Sequence, residues 1–398
     1  MHPADEIRGS KSKILSKKRI VLAVTGSIAA VETIKLSREL IRQGAEIFPV
    51  MSPAVKKIIH PNSLWFATGN QPIIELSGKT EHVFYCGRVK DPVDLLLISP
   101  CTANSISKIA HGIDDTSVST FATTAIGSGI PILIVPAMHL SMYDHKIIQS
   151  NIKILKKNGV KFVEPLIYKN KAKMAEINEI VSYVIRETSK KDLLNKKILI
   201  IGGSSAESID DIRILTNRSS GKTAISLSLN AFYRGADVEL WYGYSKQEPP
   251  SFIKTIEFES INNLSKLVKS KNIDNFDIII ICAALSDYIP KKQKGKISSG
   301  KDKLTIEMLP AQKIIEMLRK SAPKAKIIGF KVEVTSTNLK EKSLNLIKKN
   351  NIDFVIANTI AGFNKDGNEI WIIDKKGKSI HKKGKKEILA NYILDTIV

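Results

Sequence analysis

"KKRIVLAVTGSIAAVETIKLSRELIRQGAEIFPVMS", residues 17–52, runs from an apolar stretch through a turn of small residues into an amphipathic helix, a Gly-Ala break and a second apolar stretch. Continuous aliphatic runs without polar alternation are the mark of strands buried on both faces, and a helix between two of them makes a βαβ unit. The chain then begins again. After the charged stretch "RETSKKDLLNKK" (186–197), "NKKILIIGGSSAE" (195–207) supplies another strand and small-residue turn, and "GKTAISLSLNAFYRGADVELWYG" (221–243) repeats helix, Gly-Ala and strand. Each half also carries Asp, an apolar run and a small polar turn: "DLLLISPCTANS" (94–105) and "DIIIICAALSDY" (277–288), with a third instance in "DFVIANT" (353–359). The expected fold class is therefore α/β: two successive Rossmann-like three-layer domains with parallel sheets, residues 1–189 and 190–398. Residues 300–320 and 365–383 read as extra strands, the latter a hairpin. Open α/β sheets bind ligands beyond the carboxyl ends of their strands, so the quoted turns are where chemistry is expected.

Composition narrows the class. The 398 residues are 43% apolar and 25% charged, ordinary for a globular chain. No apolar run approaches the ~20 residues of a membrane span, and "MHPADEIRGSKSKILSKKR" has no apolar core of a secretory signal, so neither is expected. Cys86, Cys101 and Cys282 are far apart and odd in number, which makes neither a disulfide framework nor a zinc site; a reducing cytoplasm is the expected location. The net charge of +22 points to an anionic partner, nucleic acid or small phosphorylated substrates. The lysines are dispersed and not interleaved with aromatics, so no nucleic-acid partner is expected.

Two turns invite a phosphate. "TGSIAA" (25–30) sets Gly26, Ser27 and Ala29 between a strand and a helix N-terminus, where backbone N–H groups and the helix dipole favour an anion. The same residues serve a plain tight turn, and without GxGxxG the dinucleotide fingerprint is missing. "ILTNRSSGKTA" (214–224) nearly spells a P-loop, but that motif needs Gly at position 216 and has Thr216. A lone "SSGK" would equally be a helix cap.

With "TEHVFYCG" (80–87), "ISPCTANSISKIAHG" (98–112), "DDTSVSTF" (114–121) and "PAMHLSMY" (136–143) added, residues 18–185 resemble the flavin-mononucleotide-dependent cysteine decarboxylases, specifically the phosphopantothenoylcysteine decarboxylases. The resemblance implies FMN held by Gly26, Ser27, Ser52, Ser99, Thr102 and Asn104, and substrate met by His139 and Met142. His82 maps to the catalytic base that helps the flavin oxidise the substrate thiol to a thioaldehyde; imidazole suits the task because its ordinary pKa lies near working pH. Two departures stand out. His139 replaces the family's Asn at the substrate carboxylate, and an imidazole can still donate there. The family's Ala-Cys-Gly clamp, whose cysteine returns a proton, has no cysteine in "VEPLIYKNKAKMAEINEI" (163–180). Tyr168, Lys171 and Cys101 are the alternatives, Cys101 being also a plain buried hydrophobe.

"GGSSAESIDDIRILTNRSSGKTA" (202–224) resembles the phosphopantothenate–cysteine ligases, with Asp210, Ile212, Arg213, Thr216, Asn217, Ser219, Ser220, Gly221 and Lys222 all in register. The resemblance implies that Asn217 grips the activated acyl intermediate, while Arg213, Ser219, Ser220, Gly221 and Lys222 bind substrate, Lys222 neutralising its phosphate. "CAALSDYIPKKQKGKISSGKDKLTIEMLP" (282–310) continues the likeness: Ala283, Ala284 and Asp287 at a nucleotide, Asp287 holding Mg²⁺ or the ribose, and Lys296 at the triphosphate and in catalysis. The family's next lysine is Ser298 here, with Lys294 or Lys301 as substitutes. Phe330 would enclose the base, Lys349 would meet phosphate, and Asn358 with "GFN" (362–364) completes the pattern.

Together the two likenesses imply a fused enzyme of coenzyme A synthesis: CTP-dependent condensation of 4′-phosphopantothenate with cysteine through an acyl-cytidylate, then FMN-dependent decarboxylation to 4′-phosphopantetheine. A homo-oligomer is implied, decarboxylase trimers with active sites between subunits and ligase dimers. The alternative is an active ligase with a slow or altered flavin half. A flavin prenyltransferase-like half joined to a nicotinamide oxidoreductase is opposed by "PAMH" and by the missing GxGxxG.

Overall fold

A computed structural model describes residues 2–300, 302–362 and 366–398. The chain divides into two compact units, Met1–Ser189 and Lys190–Val398.

The N-terminal unit is built on five parallel strands, in spatial order Glu46–Met51, Arg19–Val24, Leu95–Cys101, Ile132–Pro136 and Lys161–Phe162. Every residue of Leu95–Cys101 is buried, as the aliphatic run 95–98 leads one to expect of a central strand with helices on both faces. Counted along the chain the order is 2-1-3-4-5, so the winding reverses between Arg19–Val24 and Leu95–Cys101. That reversal opens a crevice at the carboxyl ends of these two strands, the switch point at which doubly wound sheets bind ligands. Its flanking helices are well started: Thr102 caps Ala103–Ala110, and Thr116 with Ser119 closes a capping box on Ser117–Ser128. A small antiparallel sheet, Met138–His139 beside Lys171–Lys173 beside Leu166–Tyr168, stands apart from the main one.

The C-terminal unit has eight strands in the order Lys254–Glu257, Asp237–Tyr242, Lys197–Gly202, Ile278–Ile281, Lys326–Glu333, Phe354–Thr359, Gly367–Asp374 and Ser379–Lys385. The first six are parallel and follow the dinucleotide-fold order 3-2-1-4-5-6; the last two form the expected hairpin, added antiparallel. The outer hairpin strand, alternating exposed and half-buried, carries Lys382, Lys383 and Lys385 at the sheet edge, where charge discourages further pairing. Here the switch point lies between Lys197–Gly202 and Ile278–Ile281.

One expectation for this unit is corrected. Of the described residues among 300–320, only Met308–Pro310 forms a strand, paired with Tyr288–Pro290, and Ile314–Ser321 is a helix. Its buried Ile314 and Leu318 are four residues apart, a helical period that buries one stripe against the sheet.

Candidate functional sites at two switch points

In the N-terminal unit the turn after Val24 and the turn after Cys101 are tied together. Thr25 Oγ1 donates to the Pro100 carbonyl (2.9 Å) and accepts from the Thr102 amide (3.0 Å). Gly26 then passes so close to the next turn that a Cβ on it would stand 2.7 Å from the Ala54 Cβ, which only glycine permits. A cavity of about 490 Å³ opens here, lined by Gly26, Ser52, Thr102, Asn104, Ser105, Lys108, Thr116 and Ser119 among others. Two capped helix N-termini contribute to its wall, an arrangement suited to a phosphate. Lys108 stands in it as well, paired with Asp115 at 2.5 Å. A second cavity of about 810 Å³ shares Gly26, Thr102 and Met142 with the first and extends past Ser27 and His139 to Lys171–Lys173 on the small sheet and the segment that follows, to Ile177. Small residues, a cradle that a Cβ would fill and two helix N-termini fit a phosphorylated flat cofactor.

Of the predicted flavin contacts, Gly26, Ser27, Ser52, Thr102 and Asn104 line these cavities; Ser99 lines neither. It is fully buried, its hydroxyl set 3.5 Å from the sulfur of Met174, which itself lines the second cavity. His82 sits on the short helix Glu81–Cys86, outside both cavities, with Nδ1 buried and without a hydrogen-bond partner. Cys101 is fully buried and its thiol pushed well above the usual range by desolvation. Lys108, Thr116 and Ser119 were missed by sequence reasoning, although the Thr-x-x-Ser spacing within "DDTSVSTF" signals a helix start.

In the C-terminal unit, Gly203 and Ser204 leave one switch-point strand and Ala283 and Ala284 the other. Ala284 N donates to Gly203 O (2.9 Å), and Ser205 N donates to Ala284 O (3.3 Å). Asn217 is drawn onto this junction: its Nδ2 donates to Ala284 O (2.9 Å) and its carbonyl accepts from Ser204 Oγ (3.2 Å). Thr216 Oγ1 donates to Ser205 O (2.8 Å), so the segment Ile214–Thr216 is stitched beside the crevice. Gly221, with φ +74°, is the N-cap of Lys222–Tyr233. A Cβ there would meet the Tyr242 hydroxyl at 1.9 Å and Ser245 Oγ at 2.3 Å. The "SSGK" turn is thus a left-handed, close-packed helix start with no side-chain cap, which leaves its first amides available.

Asp210 holds a neighbouring loop. Its buried carboxylate accepts from Ile297 N (3.0 Å), Arg213 N (2.6 Å), Ile212 N (2.8 Å) and Arg213 Nη1 (2.5 Å). These donors, the Ile297 amide foremost, keep it ionised far below the ordinary carboxylate range. Arg213 bonds Asp210 and the Ile297 carbonyl through Nη1, which ties it to the loop bearing the exposed Lys296. Asp287 pairs with Lys313 at 2.5 Å, and Lys222 with Asp366 at 2.6 Å. Among the described residues no group of three or more His, Cys, Asp or Glu is gathered for a metal. Ser219 accepts from Gly221 N at 3.4 Å, and the Ser220 carbonyl from Ser245 Oγ at 2.9 Å.

Phe330 and Asn358 lie toward the carboxyl ends of adjacent parallel strands, and Asn358 Oδ1 is buried without a partner. Lys349 falls elsewhere. It closes the helix Leu339–Asn350, and Asp353 N bonds Ile327 O near the start of the neighbouring strand, so Lys349 stands at the amino ends of the strands, opposite the crevice. Lys301, Phe363 and Asn364 lie outside the described residues.

Comparison with known proteins agrees with this two-part layout. Residues 8–189 match the Flavoprotein family and residues 193–398 the DNA/pantothenate metabolism flavoprotein C-terminal domain. The coenzyme A biosynthesis bifunctional protein CoaBC of Thermococcus kodakarensis is 42% identical, covering 100% of this chain and 99% of its own length. That of Methanocaldococcus jannaschii is 38% identical over 98% of this chain and 95% of its own. A solved C-terminal domain of a CoaBC protein is 29% identical, covers 52% of this chain and 96% of its own, and superposes with a TM-score of 0.44. On likeness sustained from end to end, with both family domains in order, this chain belongs to the CoaBC family of bifunctional coenzyme A biosynthesis proteins.

Proposed function

We propose that residues 190–398 join 4′-phosphopantothenate to cysteine at the expense of CTP, and that residues 1–189 decarboxylate the product to 4′-phosphopantetheine. The observation that carries this reading is the convergence of motif residues on a switch point in each unit: Asn217 on Ala284 in one, Gly26 with Thr102 and Asn104 in the other.

In the ligase unit, the pantothenate carboxylate attacks the α-phosphate of CTP, pyrophosphate leaves, and the cysteine amine displaces CMP. Catalysis is positioning and charge neutralisation. The helix start at Gly221 with Lys222 receives the pantothenate phosphate, and Asn217 holds the activated acyl group. Lys296, fixed through Asp210 and Ile297, meets the triphosphate. The orphaned Asn358 acceptor takes an amino hydrogen of the base beside Phe330. Mg²⁺ travels with the triphosphate, with Asp287 the nearest candidate for a carboxylate ligand.

In the decarboxylase unit, Gly26, Ser27, Ser52, Thr102 and Asn104 hold FMN, its phosphate at the helix N-termini of Ala103–Ala110 and Ser117–Ser128. The bound flavin supplies two-electron chemistry at the substrate thiol. His82 takes the thiol proton and His139 donates to the substrate carboxylate. His82 lies beside the exposed Val83 and Phe84, which supports a site completed between subunits of a homo-oligomer. An impaired flavin half is not favoured, since relatives matching the full length are bifunctional by name.

The test is the product mass after mixing protein, 4′-phosphopantothenate, cysteine, CTP and Mg²⁺. Phosphopantetheine is expected. A reaction halting at phosphopantothenoylcysteine overturns the decarboxylase reading, and no coupled product with CTP or ATP overturns the ligase reading.

A further inference from the structure

Decarboxylation exchanges a C–C bond for a C–H bond, so one proton must reach the carbon that loses CO₂. The larger cavity offers five titratable side chains: Glu32, His139, Lys171, Lys173 and Glu176. Glu32 and Glu176 share the sign of the substrate carboxylate, and Glu32 already pairs with Lys35 at 3.3 Å. Lys173 is held over the Tyr168 ring at 4.4 Å. Cys86 and Cys101 are buried and line neither cavity, and desolvation pushes the Cys86 thiol up to about 12. Tyr168 also lines neither cavity. Lys171 is a cavity-lining cation with no ion pair or ring contact among the described residues, and His139, the other such base, is assigned above to the substrate carboxylate. Strand register sets it directly opposite His139, and side chains of directly opposed residues share a face with Cβ atoms about 5 Å apart.

We propose that Lys171 is the general acid of the decarboxylase unit; the inference rests on the decarboxylase reading above. The C–CO₂ bond breaks and its electron pair stays on carbon. A Lys171 N–H then breaks as the new C–H forms, and solvent reprotonates the amine. The exchange is redox-neutral overall. His139 grips the departing carboxylate while its cross-strand neighbour delivers the proton, so a two-residue pairing arranges both ends of the step.

The experiment supplies synthetic phosphopantothenoylcysteine to the full-length, flavin-loaded protein, bypassing the ligase. Lys171→Gln is expected to keep its flavin absorbance and the spectral change on substrate binding while phosphopantetheine formation slows about 100-fold or more. Added methylammonium should restore rate in proportion to its concentration, which a merely structural lysine would not allow. Lys171→Arg keeps the charge but holds its proton far more tightly, so it should bind substrate normally and stay slow. Tyr168→Phe should remain within about threefold of wild type, as no transition-state contact is lost. A fast Lys171→Arg, a fast Lys171→Gln, or a slow Lys171→Gln that no amine rescues overturns the proposal. A wild-type protein that releases no CO₂ from this substrate overturns the decarboxylase reading itself.

Discussion

Replacing Gly221 by alanine tests whether the "SSGK" turn is built as described. At φ +74° an L-residue costs about 1–2 kcal/mol. The new methyl would stand 1.9 Å from the Tyr242 hydroxyl and 2.3 Å from Ser245 Oγ, so the buried Tyr242 must move. Overpacking of this kind costs roughly another 1–3 kcal/mol. The total of about 2–5 kcal/mol would lower the melting temperature of a unit this size by roughly 5–15 °C. Thermal unfolding followed by tryptophan fluorescence would read it, since Trp241 and Trp371 belong to the C-terminal unit. Flavin absorbance serves as the control and should not change at low temperature. Tyr242→Phe alone should destabilise, because its hydroxyl bonds Ser245 Oγ at 2.8 Å and the Gln247 carbonyl at 3.0 Å. In the Gly221→Ala background the same change should cost less, because it deletes the atom that clashes. A Gly221→Ala protein that melts within about 2 °C of wild type, or strictly additive effects, would refute the reasoning.

Other outcomes follow from the same geometry. His82→Asn should reduce CO₂ release by roughly 10²–10⁴-fold while pyrophosphate release continues; loss of both activities would count against separate sites. Asn217→Asp should stall amide formation by about 100-fold, leaving the protein yellow, because an anion then faces the acyl phosphate. Asp210 has a folded pKa depressed by its amide donors, so its stabilising contribution is present above the unfolded value of about 3.9 and is lost as pH drops below it. Asp210→Asn should therefore lower the urea midpoint at neutral pH and flatten its acid dependence; an unchanged midpoint would leave the carboxylate without the anchoring role.

Both sheets were legible because their strands are buried on two faces and read as aliphatic runs, such as "DLLLIS" and "DIIII", separated by helical periods. The turns at the carboxyl ends could be picked out from the same alternation, and the residues there, Gly26, Thr102, Asn217 and Ala284, do meet at the crevices. Less legible was anything decided across the sheet. Ser99 sits among the right neighbours in sequence, but the fold buries it against Met174. Lys349 is nine residues before Asn358, and only the run of the intervening helix shows that it ends at the opposite edge. Arg213 reads as a free cation until the fold brings Ile297 and Asp210 around it. The helix Ile314–Ser321 was hidden because it is only two turns long and reads together with the strand-like stretch before it.

The ion pair between Lys222 and Asp366 gives the ligase unit a resident anion where the substrate phosphate is proposed to dock. Docking there is then an exchange and not a capture: one negative group leaves the ammonium as another arrives, and local charge changes little. Added salt weakens the outgoing and the incoming pair alike. Affinity for the phosphorylated substrate should accordingly vary less with ionic strength than a bare lysine at a helix start would dictate, and selection falls on the group able to outbid an aspartate.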